Sequence, residues 1–305
     1  MASIARYADI EPESGIPFFT QRGAMIAGST DSSFIKGVQN VRDKRNLASG
    51  RYSDAVLARN FPHFRFEIGT QAFYEPRMAG YISPRNLVKA QTICAEKSGA
   101  IVWDTIALAI TEQASRVLIS TQASEIEADQ VLVAAGGFAN MVLPTAAPIQ
   151  AYARTVAFFE LTAKEAERLK AMPSLVLYLK NGRDSYILPP IMYPYGKTYL
   201  KIGGDPTDVP LNNVDEMKAW LKNVGNQDVA DHLTELLLDF IPELEFISRH
   251  HEACMTTFTT DDLPLITRQS DRITVAVAGC GRGAKCSDEL GRMAASLSSL
   301  ENMED

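Results

Sequence analysis

A mixed fold of strands and helices, α/β with α+β character, is predicted for this chain. Three observations predict it. Strand-like and helix-like segments are interspersed from end to end, with no block of either kind. A bare apolar run, Val131-Leu132-Val133-Ala134-Ala135, ends in Gly136-Gly137 and suits a strand buried on both faces. A second run, Val275-Ala276-Val277-Ala278, passes through Gly279-Cys280-Gly281-Arg282-Gly283 into a helical pattern.

The elements follow in order. Residues 4–14 read as a helix stopped by Gly15 and Pro17. Residues 18–27 are strand-like, with a turn at Gln21-Arg22-Gly23, and residues 29–43 are helical. Residues 72–76 are extended and Gly80 makes a turn. Ser83-Pro84 opens the next helix, because serine caps the free N–H groups and proline suits the first helical position. Leu87, Ala90, Ile93 and Cys94 give that helix an apolar stripe, and Gly99 ends it. Strands are expected at 100–110, 116–121, 130–135 and 151–161, then a helix at 162–169. Residues 186–193 and 197–202 form a hairpin, and 214–224 and 229–238 are helices. Residues 254–258 and 273–278 are strands, and 287–300 is a closing helix.

Composition excludes several functions. The chain has 305 residues, 46% of them hydrophobic, enough for a sizeable core. Its net charge of -7 and lack of a basic block argue against a nucleic-acid partner. Its apolar runs are too short to cross a bilayer, so no membrane is expected. No secretory signal opens the chain, and a cytoplasmic location is expected. Cysteine is scarce and none of Cys94, Cys254, Cys280 and Cys286 form a C-x-x-C pair. The adjacent His250-His251 would point to opposite faces of a strand, so no metal site is expected.

The glycine-rich turn carries the clearest chemistry. A strand running through it into a helix gathers backbone N–H groups and a helix N-terminus at one place, which favours anions. Arg282 and Lys285 add positive charge. The same residues also read as a plain strand-to-helix turn with solvated cations.

Five stretches then resemble one family. Cys254-Met255-Thr256-Thr257-Phe258-Thr259-Thr260-Asp261-Asp262 resembles a C-M-Y-T-x-T-P-D strand. Gly281-Arg282-Gly283-Ala284-Lys285 resembles the G-H-G-F-K turn that follows it. Ala128-Asp129-Gln130 through Ala134-Ala135-Gly136-Gly137-Phe138 resembles an A-D-x-V-V-x-A-A-G-A-W strand and turn. Glu75-Pro76 to Pro84 resembles an E-P helix entry, and Leu200-Lys201-Ile202-Gly203 a G-L-K-I-G strand. Residues 154–160 agree as well. Together these are similar to the FAD-dependent amine oxidases of the monomeric sarcosine oxidase and N-methyltryptophan oxidase type, with a D-amino-acid-oxidase-like fold.

The resemblance implies roles. Cys254 would bond covalently to the flavin as a thioether, where the residue alone also reads as a buried free cysteine. Lys201 would stand over the flavin and help oxygen accept electrons. Lys285, with Arg282 and Thr256, would contact the carboxylate of an amino-acid-like substrate. Ala135, Gly136, Gly281, Arg282 and Gly283 would line the cofactor. The implied reaction oxidises the C–N bond of a secondary or N-methylated amino acid with molecular oxygen, giving hydrogen peroxide, in a monomer. A dehydrogenase using another acceptor and a non-catalytic remnant are the alternatives.

Departures limit the transfer. Arg282 replaces the turn's histidine, Gly279-Cys280 a Phe-Ser pair, and Thr256 a tyrosine, while Asp205 stands where sarcosine oxidases tend to carry histidine. No G-x-G-x-x-G turn is present. Against the family pattern, about eighty residues of a dinucleotide-binding unit are missing from the start. The expected architecture is therefore an incomplete Rossmann-type FAD part, 81–145 and 255–305, interleaved with an antiparallel-sheet substrate part, 12–80 and 146–254. Cys254 and Lys285 should share one cavity, its floor lined by Gly281–Gly283, with Lys201 reaching it from a second sheet.

Overall fold

The computed structural model describes residues 2–178 and 184–299. Its helices are α1 (Ala2–Ser14), α2 (Ser33–Arg45), α3 (Asp54–Asn60), α4 (Pro84–Lys97), α5 (Ala163–Arg168), α6 (Val214–Leu221), α7 (Gln227–Phe240) and α8 (Ser287–Ser298). The first strands are β1 (Phe19–Gln21), β2 (Ala24–Ser29), β3 (Gly50–Ser53), β4 (Thr70–Glu75), β5 (Gly80–Ile82), β6 (Ala107–Glu112), β7 (Val117–Thr121), β8 (Glu125–Ala128) and β9 (Val131–Val133). Then come β10 (Gln150–Leu161), β11 (Ser174–Tyr178), β12 (Ser185–Met192), β13 (Thr198–Gly203), β14 (Val209–Leu211), β15 (Phe246–Phe258), β16 (Leu265–Arg268) and β17 (Ile273–Val277). The expected end of the closing helix at Leu300 lies outside the described residues.

A nine-stranded sheet organises the described residues. β10 is a long strand, second from one edge. β15 covers one edge of β10, and β13 and β14 divide the other. The order then runs β13, β12, β11, β2, β4, β3, antiparallel except for the β11–β2 pair. Alternation gives the sheet two different faces. One carries Ala157, Phe159, Leu200, Ile202, Ile187, Met25 and Ala27, all packed with α7 residues Leu233, Leu236 and Leu237 in the main core. That burial drives the sheet onto α7, whose apolar residues recur at helical spacing.

A smaller sheet orders β16, β17 and β9, with β17 and β9 parallel. Being parallel, they end side by side: Val275 stands opposite Val133. The loops after both strands therefore emerge at the same end. A meander of β6, β7 and β8 adds a third antiparallel sheet. α1 packs on α4 through Tyr7, Ile10, Phe18, Leu87 and Ala90. α4 begins as expected, with Ser83 Oγ accepting from the Asn86 N–H.

Three expectations need correction. Residues 131–133 are not buried on both faces, since Leu132 is 38% exposed and β9 is an edge strand among the described residues. The strand expected from residue 100 starts only at Ala107; Ile101, Val102 and Trp103 lie exposed in irregular chain, without a strand partner to order them. Gly80 does not turn the chain but opens β5, which pairs with β1. No described helix is long and apolar enough to cross a membrane.

Candidate functional site

The second face of the large sheet gathers the polar side chains. Register sets which residues share it. Phe158 of β10 stands opposite Lys201 on β13 and opposite His250 on β15. Arg154 stands opposite Cys254, and Tyr152 opposite Thr256. Gly203 stands opposite Val156 on one side and Tyr186 of β12 on the other. Period-two alternation therefore puts Lys201, Cys254, Thr256, Arg154, Phe158 and Tyr186 on one face. Lys201 and Cys254 thus belong to the same sheet, two strands apart across β10. This corrects the expectation of a second sheet: β13 and β15 are far apart in sequence but flank one strand.

Lys201 is confined by aromatic rings. Its Nζ lies 5.4 Å from the centre of Phe158 and 5.9 Å from that of Tyr186. No carboxylate among the described residues pairs with it. Burial lowers its pKa below the ordinary lysine value; Cys254 and Glu252 oppose that shift, and Arg85 at the start of α4 adds to it.

Tyr186 lies flat over Gly203. A Cβ at Gly203 would meet two ring carbons and the phenolic oxygen at 2.6–2.7 Å, so only glycine lets the ring settle there. Burial first, then Cys254 and Asp205, push the Tyr186 phenol well above the ordinary tyrosine range. Arg154 is anchored from two sides. Its Nε donates to Thr256 Oγ1 at 3.0 Å and its Nη2 to Asp208 Oδ1 at 2.6 Å. It also lies over Tyr152 and Phe258, 5.3 and 5.8 Å from the ring centres. Thr256 is thereby held by Arg154.

Cys254 is a free, half-buried thiol. Its carbonyl accepts from Trp220 Nε1 at 2.7 Å, which fixes this part of β15 against α6. β15 runs unbroken through 254 and 255, so Met255 to Phe258 continue in the same sheet as Cys254.

The glycine-rich turn docks on the end of β15. The Cys280 N–H donates to the Thr257 carbonyl at 3.0 Å. Ala278, Cys280 and Gly281 all take left-handed backbone, φ 60°, 48° and 66°. Two of the three are not glycine, a strained arrangement of the kind that clusters at functional sites. Arg282 is exposed and electrostatically close to Tyr178 at the end of β11. Across from the turn, Ala135 and Gly136 follow β9 at the same end of the small sheet. The next residue, Gly137, abuts Met255 and Thr257 of β15, whose side chains a Cβ would meet at 2.8 and 3.1 Å. The glycine-rich turn thus reaches β15 at Thr257 and Phe258, whereas the Gly137 loop meets the strand through Met255 and Thr257, on the side opposite Cys254 and Thr256.

Lys285 follows the same turn, three residues after Arg282. Tyr7 Oη of α1 donates to its carbonyl at 3.3 Å. Desolvation, with Arg282 adding to it, holds its pKa below the ordinary value, while Cys286 opposes. Among the described contacts none joins it to Cys254. Arg154 and Tyr186 were missed as site candidates. Their signal is pairing register, which a single sequence does not display.

A family model described as DAO, FAD dependent oxidoreductase, matches residues 1–297. No curated protein sequence matches the chain. Solved structures of similar fold include the open form of NikD, an unusual amino acid oxidase essential for nikkomycin biosynthesis. It is 16% identical, covers 100% of this chain and 80% of its own, and gives a TM-score of 0.78. L-proline dehydrogenase from P. horikoshii is 16% identical, covers 97% and 76%, and gives 0.76. Glycine oxidase from Geobacillus kaustophilus is 15% identical, covers 97% and 77%, and gives 0.71.

Proposed function

Because the chain belongs to the DAO family of FAD-dependent oxidoreductases, we propose that it oxidises the C–N bond of a secondary or N-methylated amino acid, in the manner of sarcosine oxidase. Molecular oxygen is the acceptor in this reading and hydrogen peroxide the product. The observation that carries it is Lys201, a desolvated ammonium between two aromatic rings with no carboxylate partner among the described residues. Such a cation needs an electron-rich or anionic neighbour.

FAD is the family's cofactor. The residues present fit its ring end. Lys201 has no carboxylate partner among the described residues, and the Gly279–Gly283 turn meets the end of β15, where the Cys280 N–H bonds the Thr257 carbonyl and Gly281 lies beside the Phe258 ring. Cys254, Ala135, Gly136, Gly281, Arg282 and Gly283 would hold it. No G-x-G-x-x-G turn is present to hold a pyrophosphate. When bound, the flavin accepts the electron pair that leaves the carbon next to nitrogen. The chain's own residues orient the substrate, with Lys285, Arg282 and Thr256 proposed for its carboxylate, and Lys201 supplies fixed charge for oxygen. We take the flavin side as 81–145 and 255–305, the substrate side as 12–80 and 146–254, and the working unit as a monomer. A non-catalytic form of the fold is favoured by the open edge of β9 and the exposed Ile101, Val102 and Trp103.

The test is direct. The chain is purified with FAD and mixed anaerobically with sarcosine, L-proline or glycine. Loss of the flavin's visible absorbance, then peroxide on admitting air, is the expected result. Flavin that never bleaches with any amine would favour the non-catalytic form; bleaching that returns with a quinone but not with oxygen would favour a dehydrogenase. The covalent role of Cys254 is separable. Acid precipitation should keep the flavin with the wild-type protein and release it from Cys254→Ser. Equal release from both would leave Cys254 without that role.

A further inference from the structure

β10 has a gap on one edge, and Asp205 fills it. β13 pairs with β10 as far as Val156 opposite Gly203, and β14 resumes at Ala153 opposite Val209. Arg154 and Thr155 fall between the two. The Thr155 N–H, left without a strand partner on that edge, donates to both Asp205 carboxylate oxygens, at 3.0 and 3.3 Å. Asp205 therefore looks structural at first sight.

Its electrostatic surroundings do not end there. The cation beside it is Arg154, which is already paired with Asp208 at 2.6 Å. Asp208 itself adds like charge. From β12, the Tyr186 phenol is electrostatically close to Cys254 and Asp205, and no described residue hydrogen-bonds its hydroxyl. The same ring packs 5.9 Å from Lys201 Nζ. A carboxylate held by backbone N–H groups, with no cation of its own and, among the described residues, an unpartnered phenol beside it, thus adjoins the face that carries Lys201.

An amino acid whose C–N bond is to be oxidised meets the protein as an ammonium ion at neutral pH. It must lose one proton before nitrogen can release electron density. We infer that Asp205 accepts that proton as the substrate docks. The step is a simple transfer: the substrate N–H bond breaks, a carboxyl O–H bond forms, and no redox partner is involved. The freed amine keeps its lone pair and the acid stays neutral beside Tyr186. Burial first, opposed by the Thr155 N–H and Arg154, pushes the Asp205 carboxyl up to about 6, which leaves it ionised at neutral pH and basic enough to serve. The inference rests on the amine-oxidising reading.

Asp205→Asn keeps an oxygen for the Thr155 N–H and removes the titration, so it separates the two roles. Two measurements are made on the full chain. In the first, sarcosine and L-proline are titrated into flavin-free protein by calorimetry in buffers of different ionisation enthalpy. At pH 7.5 the proton stays in the wild-type complex and none should be released. At pH 5 the carboxyl is already protonated, so about one proton should be released and affinity should fall about tenfold per pH unit below 6. In Asp205→Asn the number of protons released should be the same at both pH values. Binding with the same flat proton count in both proteins would overturn the inference and leave the amine reading intact. Failure of both amines to bind would remove the reading and the inference with it.

The second measurement is thermal stability against pH. A carboxyl raised in the folded state contributes stability below its unfolded value, and loses it as pH rises through about 6. The melting point of Asp205→Asn relative to wild type should therefore be higher at pH 8 than at pH 4.5. A difference of the same size at both pH values would reduce Asp205 to a cap for Thr155 and overturn the inference.

Discussion

Replacing Lys201 by methionine is expected to slow reoxidation of the flavin by oxygen about 10²–10³-fold while leaving its reduction by substrate nearly unchanged. The asymmetry follows from where charge develops. Substrate oxidation moves negative charge onto a large delocalised ring. Oxygen reduction creates a new small anion beside it. A fixed ammonium is worth most where charge is most concentrated and water is scarce. Lys201 is desolvated and held between Phe158 and Tyr186, with no carboxylate among the described residues to neutralise it. Methionine preserves length and apolar packing against the two rings, so lost volume does not confuse the result. Losing a desolvated charge should also leave the fold at least as stable. Stopped-flow absorbance separates the half-reactions. Equal slowing of both would make Lys201 a substrate-binding or structural residue, and the oxygen-using reading would lose its main support.

The parts of this molecule that were legible in the sequence are those with local signals. Ser83-Pro84 announces α4 because capping is decided within four residues. The β12–β13 hairpin and the β17 strand entering α8 through a glycine-rich turn are likewise short-range patterns. β3, β11 and β16, and the short helix α3, left too weak a periodicity to be read. Residues 100–106 show the opposite failure. Their β-branched and aromatic content reads as strand, but a strand needs a partner, and none among the described residues supplies one. The site face lies deeper still. Cys254 and Lys201 are separately visible as residues of interest, yet only pairing with β10 tells that they share a face. Register is set by which side of each strand meets the core, a property of the whole sheet. For the same reason Arg154 and Tyr186 went unseen, and Asp205 was noted as a departure without its place at the gap in β10.

Phe159→Ala should destabilise the protein by about 3–5 kcal/mol. Phe159 is fully buried and lies on the core face of β10, opposite Leu200 of β13. Its ring meets Phe246 edge to face at 5.1 Å. Its neighbour Phe158 points the other way, toward Lys201. Truncation therefore removes a large apolar ring from the packing that joins the sheet to α7, and the space cannot collapse without moving β10 or α7. Phe159→Leu keeps most of the volume and should cost less than about 1.5 kcal/mol. Urea unfolding followed by circular dichroism gives both values. Because β10 is shared between the two faces, the comparison also tests how the site is supported. If the core face holds the strand in place, Phe159→Ala should lower the protein's affinity for FAD, whereas Phe159→Leu should not. A loss below about 1 kcal/mol for the alanine variant would mean that this part of the sheet repacks freely. Lys201 and Cys254 would then be held by strand pairing alone rather than by the core beneath them.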